Sequence, residues 1–453
     1  MESINPANGE SLAQFAEHTS EEVEAILDAA SAEFDRWRRV PIGERAVPMR
    51  RLADVLESRV DEWARLMTLE TGKPIAASRA EIEKCAWVCR FYADEAAQML
   101  ADRAIPADRT KSYVHHEPLG VVLAVMPWNF PFWQVFRFAA PGLMAGNVAV
   151  LKHASNVSGC ALAIEEAFTE AGFAAGTFAT LLVPGSRVGE VLEHSGVVAA
   201  TLTGSDLAGR EVAAKAGSLL KKTVLELGGS DPYVVLEDAD VDAAASTCAA
   251  SRMINAGQSC IAAKRFIVHT AVYDAWLERF VAAMSAVEMG DPLQEETMLG
   301  PMARFDLRDG LHQQVVASVA AGATLALGGT IPDRPGAYYP STVLTDVTPG
   351  MPAFDEEMFG PVAAVSKAES EEEAIAMAND TPFGLGAAVF TRDLARGERI
   401  AAEQFEAGAC FVNTFVASDP RLPFGGIKAS GYGRELADLG IKEFVNQKTV
   451  VIG

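Results

Sequence analysis

The sequence is short of positive charge: 38 Lys and Arg stand against 61 Asp and Glu, a formal net charge of −23. So acidic a surface excludes nucleic acid and anionic membrane as main partners, because both require a basic face. It also means that an anionic substrate needs a local cation to overcome the background field. No uncharged apolar run is long enough to span a bilayer. The start of the chain, acidic from Glu2 onward, lacks a basic segment followed by an apolar one, so no secretory signal peptide is expected. Cysteine is sparse and scattered (Cys85, Cys89, Cys160, Cys248, Cys260, Cys410), without zinc-type pairs or a disulfide framework. Cys85 and Cys89 could share a helix face, but no His or second Cys pair completes a four-ligand set, and no metal is expected. A reducing cytoplasm is the default setting. The ordinary Gly-x-Gly-x-x-Gly fingerprint, internal repeats and low-complexity segments are also missing.

What is present fits an enzyme of two or three domains, the number that 453 residues imply. Residues 20–103 read as helices, opened by Ser20 as a cap with an acidic first turn, with Pro41 closing the first. Trp63, Trp87 and Met99 fall at core spacing. Residues 105–118 are β-prone, and the adjacent His115 and His116 should point to opposite faces of a strand rather than share a metal. From Gly120 onward, apolar runs (Gly120–Met126, Val148–Leu151, Val197–Leu202) alternate with helical segments, which implies a doubly wound parallel sheet.

Four positions carry chemistry. Cys260 lies in Asn255-Ala256-Gly257-Gln258-Ser259-Cys260, among small residues and just before Lys264 and Arg265. A thiol in such a place is either a nucleophile, which needs donors or positive charge nearby, or a small buried hydrophobe. Asn129 ends the run Gly120–Met126 at the carboxyl edge where open α/β sheets place ligand groups, although a turn residue would also fit. Arg137 stands among Phe132, Trp133, Val135, Phe136 and Phe138, either in a structural ion pair or as a fork for a substrate carboxylate. Glu226 sits inside an apolar strand before two glycines, as a buried ion-pair member or as a general base whose pKa burial raises.

Read together, Met126-Pro127-Trp128-Asn129-Phe130-Pro131, Leu225-Glu226-Leu227-Gly228-Gly229, Glu356-Glu357-Met358-Phe359-Gly360-Pro361 and Pro423-Phe424-Gly425-Gly426 resemble the NAD(P)-dependent aldehyde dehydrogenase superfamily over essentially the whole chain. The runs Phe132–Arg137 and Ser418–Pro423 are similar to those of short bacterial succinate-semialdehyde dehydrogenases. The resemblance implies an α/β fold with two doubly wound parallel-sheet domains and a small β oligomerisation arm, assembled as a homodimer or homotetramer. Residues 1–103 and 120–228 would form the dinucleotide-binding domain, 229–417 the catalytic domain, and 104–119 with 430–453 the arm. It further implies Cys260 as nucleophile, Glu226 as base and Asn129 as oxyanion donor. Cofactor contacts would come from Trp128, Lys152, Ser155, Gly204, Ser205, Leu227, Glu357 and Phe359. Arg137, Trp133, Ser259 and Ser418 would contact a small aldehyde, succinate semialdehyde in the first instance, with glutarate semialdehyde or an aromatic or aliphatic aldehyde as alternatives.

Many NAD-preferring relatives carry a glutamate where Ser155 stands; a small hydroxyl beside Lys152 leaves room for a 2′-phosphate, so NADP is the expected cofactor and NAD the alternative. The chain departs from the pattern in four places. Ile254 replaces a second carboxylate-binding arginine, with Arg252 two residues away; Ala262 replaces a second cysteine; Ser230 replaces a lysine; and Asn156–Gly159 lacks the usual proline.

Overall fold

The longest apolar runs become the central strands of two sheets, as runs without alternation must when both faces are covered. A computed structural model describes residues 1–453. Its first large sheet has six strands in the order Gly431–Tyr432, Lys222–Glu226, Val197–Thr203, Val121–Met126, Val148–His153 and Phe178–Thr180. The last five are parallel, and Gly431–Tyr432 is an antiparallel edge. The second has seven, in the order Thr324–Leu327, Thr342–Thr345, Val362–Ala368, Arg265–His269, Pro232–Val235, Gly386–Phe390 and Ala409–Val412, with only the first antiparallel. Helices cover both sheets, as expected for the doubly wound class. A three-stranded antiparallel sheet of Val445–Ile452, Lys111–Pro118 and Arg103–Ala104 forms the arm. No helix is long and apolar enough to cross a membrane.

Several local expectations are corrected. Thr19, not Ser20, caps the first helix: its hydroxyl accepts from the Glu22 N–H at 3.2 Å while the Glu22 carboxylate accepts from the Thr19 N–H at 2.8 Å. That helix ends at Trp37, and Pro41 instead precedes the next, Ile42–Ser58. Trp63 is buried as its spacing predicts, but Trp87 is 40% exposed and lies beneath the Arg421 guanidinium at 5.5 Å. Helical spacing identifies a face, and this indole sits at its rim, covered by a cation rather than by the core. Of residues 430–453, only Val445–Ile452 joins the arm. Gly431–Tyr432 pairs with Lys222–Glu226, and the short helix Ala437–Ile441 packs on the helices Ile75–Met99 and Trp133–Ala145. The β-prone run begins only at Val445; the glycine-rich segment before it closes the edge of the six-stranded sheet. His115 and His116 face different partners, the Asp102 carboxylate at 2.7 Å and the Leu100 carbonyl at 3.2 Å.

Candidate active site

The helix Val241–Met253 delivers the Cys260 loop and breaks at Ile254, after which Asn255 and Ala256 take left-handed φ of 51° and 55°. Gly257 follows at φ 72°, and a Cβ there would lie 2.1 Å from the Gly360 carbonyl oxygen, so the loop can dock only with glycine. Asn255 Nδ2 donates to the Asn129 carbonyl at 2.8 Å, tying the loop to the end of the strand Val121–Met126. Asn129 Nδ2 donates to the Gln258 carbonyl at 3.1 Å, which uses one of its two hydrogens. Lys264 holds the backbone around the thiol: its Nζ donates to the carbonyls of Ser259 at 2.7 Å and Cys260 at 2.6 Å, and pairs with Glu357 at 3.3 Å. Arg265 turns away to the carbonyls of Ser230, Met377 and Ala378. Arg252 is buried against those of Gly257, Met358 and Val362, and so cannot reach a substrate in place of the arginine missing at Ile254.

Burial pushes the Cys260 thiol up to about 12, with Lys264 and Arg137 pulling it down and Glu357 and Glu226 adding to the rise. The nearby positive charge thus offsets only part of the effect of burial.

Glu226 ends the strand Lys222–Glu226, buried, with neither carboxylate oxygen hydrogen-bonded. Gly425, at φ 154°, passes so close that a Cβ would stand 2.8 Å from Glu226 Oε1. Burial holds this carboxyl well above the usual range, opposed by Arg137 and reinforced by Glu435. Arg137 takes the first of its two readings, the structural ion pair, and also stands at a cavity wall. Its Nε pairs with the buried Glu435, its Nη2 donates to Thr203 Oγ1 at 3.3 Å, and it packs 4.9 Å from the Phe424 ring centroid, yet it also lines a cavity. Glu435 escaped the sequence reading; its one signal is its place at the end of Gly431-Tyr432-Gly433-Arg434-Glu435.

Two cavities meet at the sulfur. One, of about 290 Å³ and mostly apolar, is lined by Trp133, Arg137, Ser259, Cys260 and Ser418, and by Lys84, which the sequence did not single out. The other, of about 270 Å³, brings Asn129 together with Trp128, Gly204, Ser205, Leu227, Glu357 and Phe359. Only Cys260 and Gln134 border both. In the second cavity Glu357 Oε1 accepts from the Gly229 N–H at 2.9 Å, and Phe359 meets Trp128 edge-on with centroids 5.8 Å apart. Lys152 and Ser155 lie on the wall of a further cavity of about 690 Å³. Burial lowers the Lys152 pKa.

A thiol at the meeting of an apolar cavity and a second cleft is the arrangement expected of an oxidoreductase that works through a covalent cysteine adduct. Residues 1–450 match the model of the aldehyde dehydrogenase family, and the chain belongs to that family. It is 53% identical over 449 residues to the probable succinate-semialdehyde dehydrogenase (NADP+) of Synechocystis sp., covering 99% of both chains. It is 51% identical over 456 residues to the succinate-semialdehyde dehydrogenase (NADP+) of Mycolicibacterium paratuberculosis, covering 99% of this chain and 96% of that one. Among solved structures, the succinic semialdehyde dehydrogenase of Streptococcus pyogenes in complex with NADP+ superposes with a TM-score of 0.97 at 37% identity, covering 100% of this chain and 99% of that one.

Proposed function

We propose that the chain oxidises succinate semialdehyde to succinate with NADP as cofactor. The observation that carries this reading is Cys260 at the meeting of two cavities, one holding the predicted substrate residues and the other most of the predicted cofactor residues. NADP, when bound, supplies the hydride acceptor. Trp128, Gly204, Ser205, Leu227, Glu357 and Phe359 would hold it, with Lys152 and Ser155 at the 2′-phosphate.

The remaining chemistry belongs to the chain. Cys260 loses its thiol proton to solvent, and the thiolate adds to the aldehyde carbon, its electron pair forming the S–C bond while the C=O pair moves to oxygen to give the thiohemiacetal oxyanion. The free hydrogen of Asn129 Nδ2 and the Cys260 N–H, which donates to no backbone carbonyl, receive the developing oxyanion. Such donors contribute about 3 kcal/mol each to transition-state stability. After oxidation, Glu226 takes a proton from the water that cleaves the thioester; its raised pKa and unpartnered oxygens suit a base. Arg137, Trp133, Ser259 and Ser418 are read as substrate contacts. Six unpaired thiols support a reducing cytoplasm, and the family resemblance of the arm is the ground for reading the assembly as a homodimer or homotetramer.

The test is steady-state oxidation of succinate semialdehyde and its uncharged analogue butyraldehyde, each with NADP and NAD. We expect kcat/KM to favour the acid by about 10- to 100-fold, the range of a charge-assisted contact, and to favour NADP. Equal rates for the two aldehydes would remove the substrate assignment and leave the family. Turnover retained by Cys260→Ala would remove the mechanism.

A further inference from the structure

The cavity leading to Cys260 has two cations on its wall, Arg137 and Lys84, and they are not equivalent. Arg137 is buried, paired through Nε with Glu435 and bonded through Nη2 to Thr203, so much of its charge is already matched. Lys84 projects from the helix Ile75–Met99 and is half-buried. Its Nζ donates to Ser418 O at 2.7 Å and to Ser418 Oγ at 2.9 Å, and it lies 4.2 Å from the Trp133 ring centroid. All of these partners are neutral.

The charged and titratable groups facing Lys84 are Arg137, Asp419, Glu81 and Cys85. Each carboxylate among them is engaged elsewhere. Asp419 accepts from Arg421 Nε at 2.8 Å and from its Nη2 at 2.5 Å. Glu81 pairs with Lys73 and accepts from the N–H groups of Phe132 at 2.9 Å and Trp133 at 3.0 Å. Burial, and then Arg137, lower the Lys84 ammonium to about 8, as expected for a cation lacking its counter-ion. Because Ser418 Oγ accepts from Lys84, its own O–H is free to donate, so the two side chains present a cation and a hydroxyl side by side. Across the cavity, the position where related semialdehyde enzymes carry a second arginine is the apolar Ile254.

We propose that Lys84, acting with the Ser418 hydroxyl, is a specificity-determining residue that binds the carboxylate of an ω-carboxy aldehyde and replaces from the helix Ile75–Met99 the cation missing at Ile254. The assignment rests on the acid-aldehyde reading above. A carboxylate docked there restores the missing counter-ion and stabilises the protonated amine, so recognition of the acid is strongest below the pKa of Lys84 and weakens as the amine loses its proton.

The experiment compares wild type, Lys84→Met and Lys84→Arg, with succinate semialdehyde and butyraldehyde as probes, at pH 7 to 9.5. In wild type we expect the acid-to-butyraldehyde ratio of kcat/KM to fall as pH rises through about 8. In Lys84→Met the ratio should already be about 10- to 100-fold lower at pH 7. That loss should lie in KM for the acid, the pH dependence of the ratio should disappear, and Lys84→Arg should recover much of the preference. A wild type that prefers the acid beside a Lys84→Met variant with the same preference overturns the assignment and leaves the substrate reading intact. Loss of both substrates in equal measure also overturns it, because the lysine would then only support Trp133 and Ser418. A wild type with no preference for the acid overturns the substrate reading, and this assignment with it.

Discussion

A carboxylate buried with both oxygens free is costly to ionise, and burial beside Gly425 accordingly holds the Glu226 carboxyl above the usual range. Its proposed role as base in the second half-reaction can be isolated. Glu226→Gln keeps the volume and removes the base, so we expect one burst of reduced cofactor stoichiometric with active sites, followed by turnover about 10²- to 10⁴-fold slower. Stopped-flow absorbance checks this, and a steady rate equal to wild type would reassign the base. At this scale the sequence marked Cys260, Asn129 and Glu226 because each is a polar group set into an apolar or small-residue run. It did not show Glu435 beneath Arg137 or Lys84 beside Ser418, because those partners are far apart in the chain and nothing in either local pattern points to the other.

Among the elements, the strand Val148–His153 shows how a buried polar end is secured. His153 Nδ1 accepts from the Ala154 N–H at 2.9 Å, and Nε2, also 2.9 Å from its partner, donates to the Pro131 carbonyl, which together require the neutral tautomer. Burial lowers its pKa from 6.5 to about 4. Because the folded value lies below the unfolded one, the stability this residue contributes is present above 6.5 and is lost as pH falls toward 4. That amounts to roughly 2 kcal/mol at pH 5. We expect the thermal midpoint of wild type to drop more steeply between pH 7 and pH 5 than that of His153→Gln; parallel profiles would contradict the assignment. Central strands were legible because continuous apolar runs admit few alternatives. Element ends were less so: Thr19 rather than Ser20 caps the first helix because the reciprocal bond with Glu22 depends on a three-residue offset, not on residue type alone.

For the whole molecule, the acidic surface and the two parallel sheets follow from composition and periodicity, whereas the path of the C-terminal segment does not. Residues 431–432 close one sheet beside Glu226, Glu435 reaches Arg137, and Val445–Ile452 completes the arm along Lys111–Pro118. Removing residues 445–453 would leave that arm strand with an open edge. We expect sedimentation velocity to show the proposed homo-oligomer falling apart, and an unchanged number of subunits would detach the arm from subunit association.

The same path has a consequence for biosynthesis. Strands pair only when both are available, and domains tend to fold as the chain emerges from the ribosome. Here the edge beside Glu226 and the counter-ion of Arg137 both come from residues translated after every other part of the site. A nascent chain can bury most of its core while its reactive thiol still lacks a finished chamber, so competence to handle an aldehyde arrives late in synthesis rather than accruing along the way.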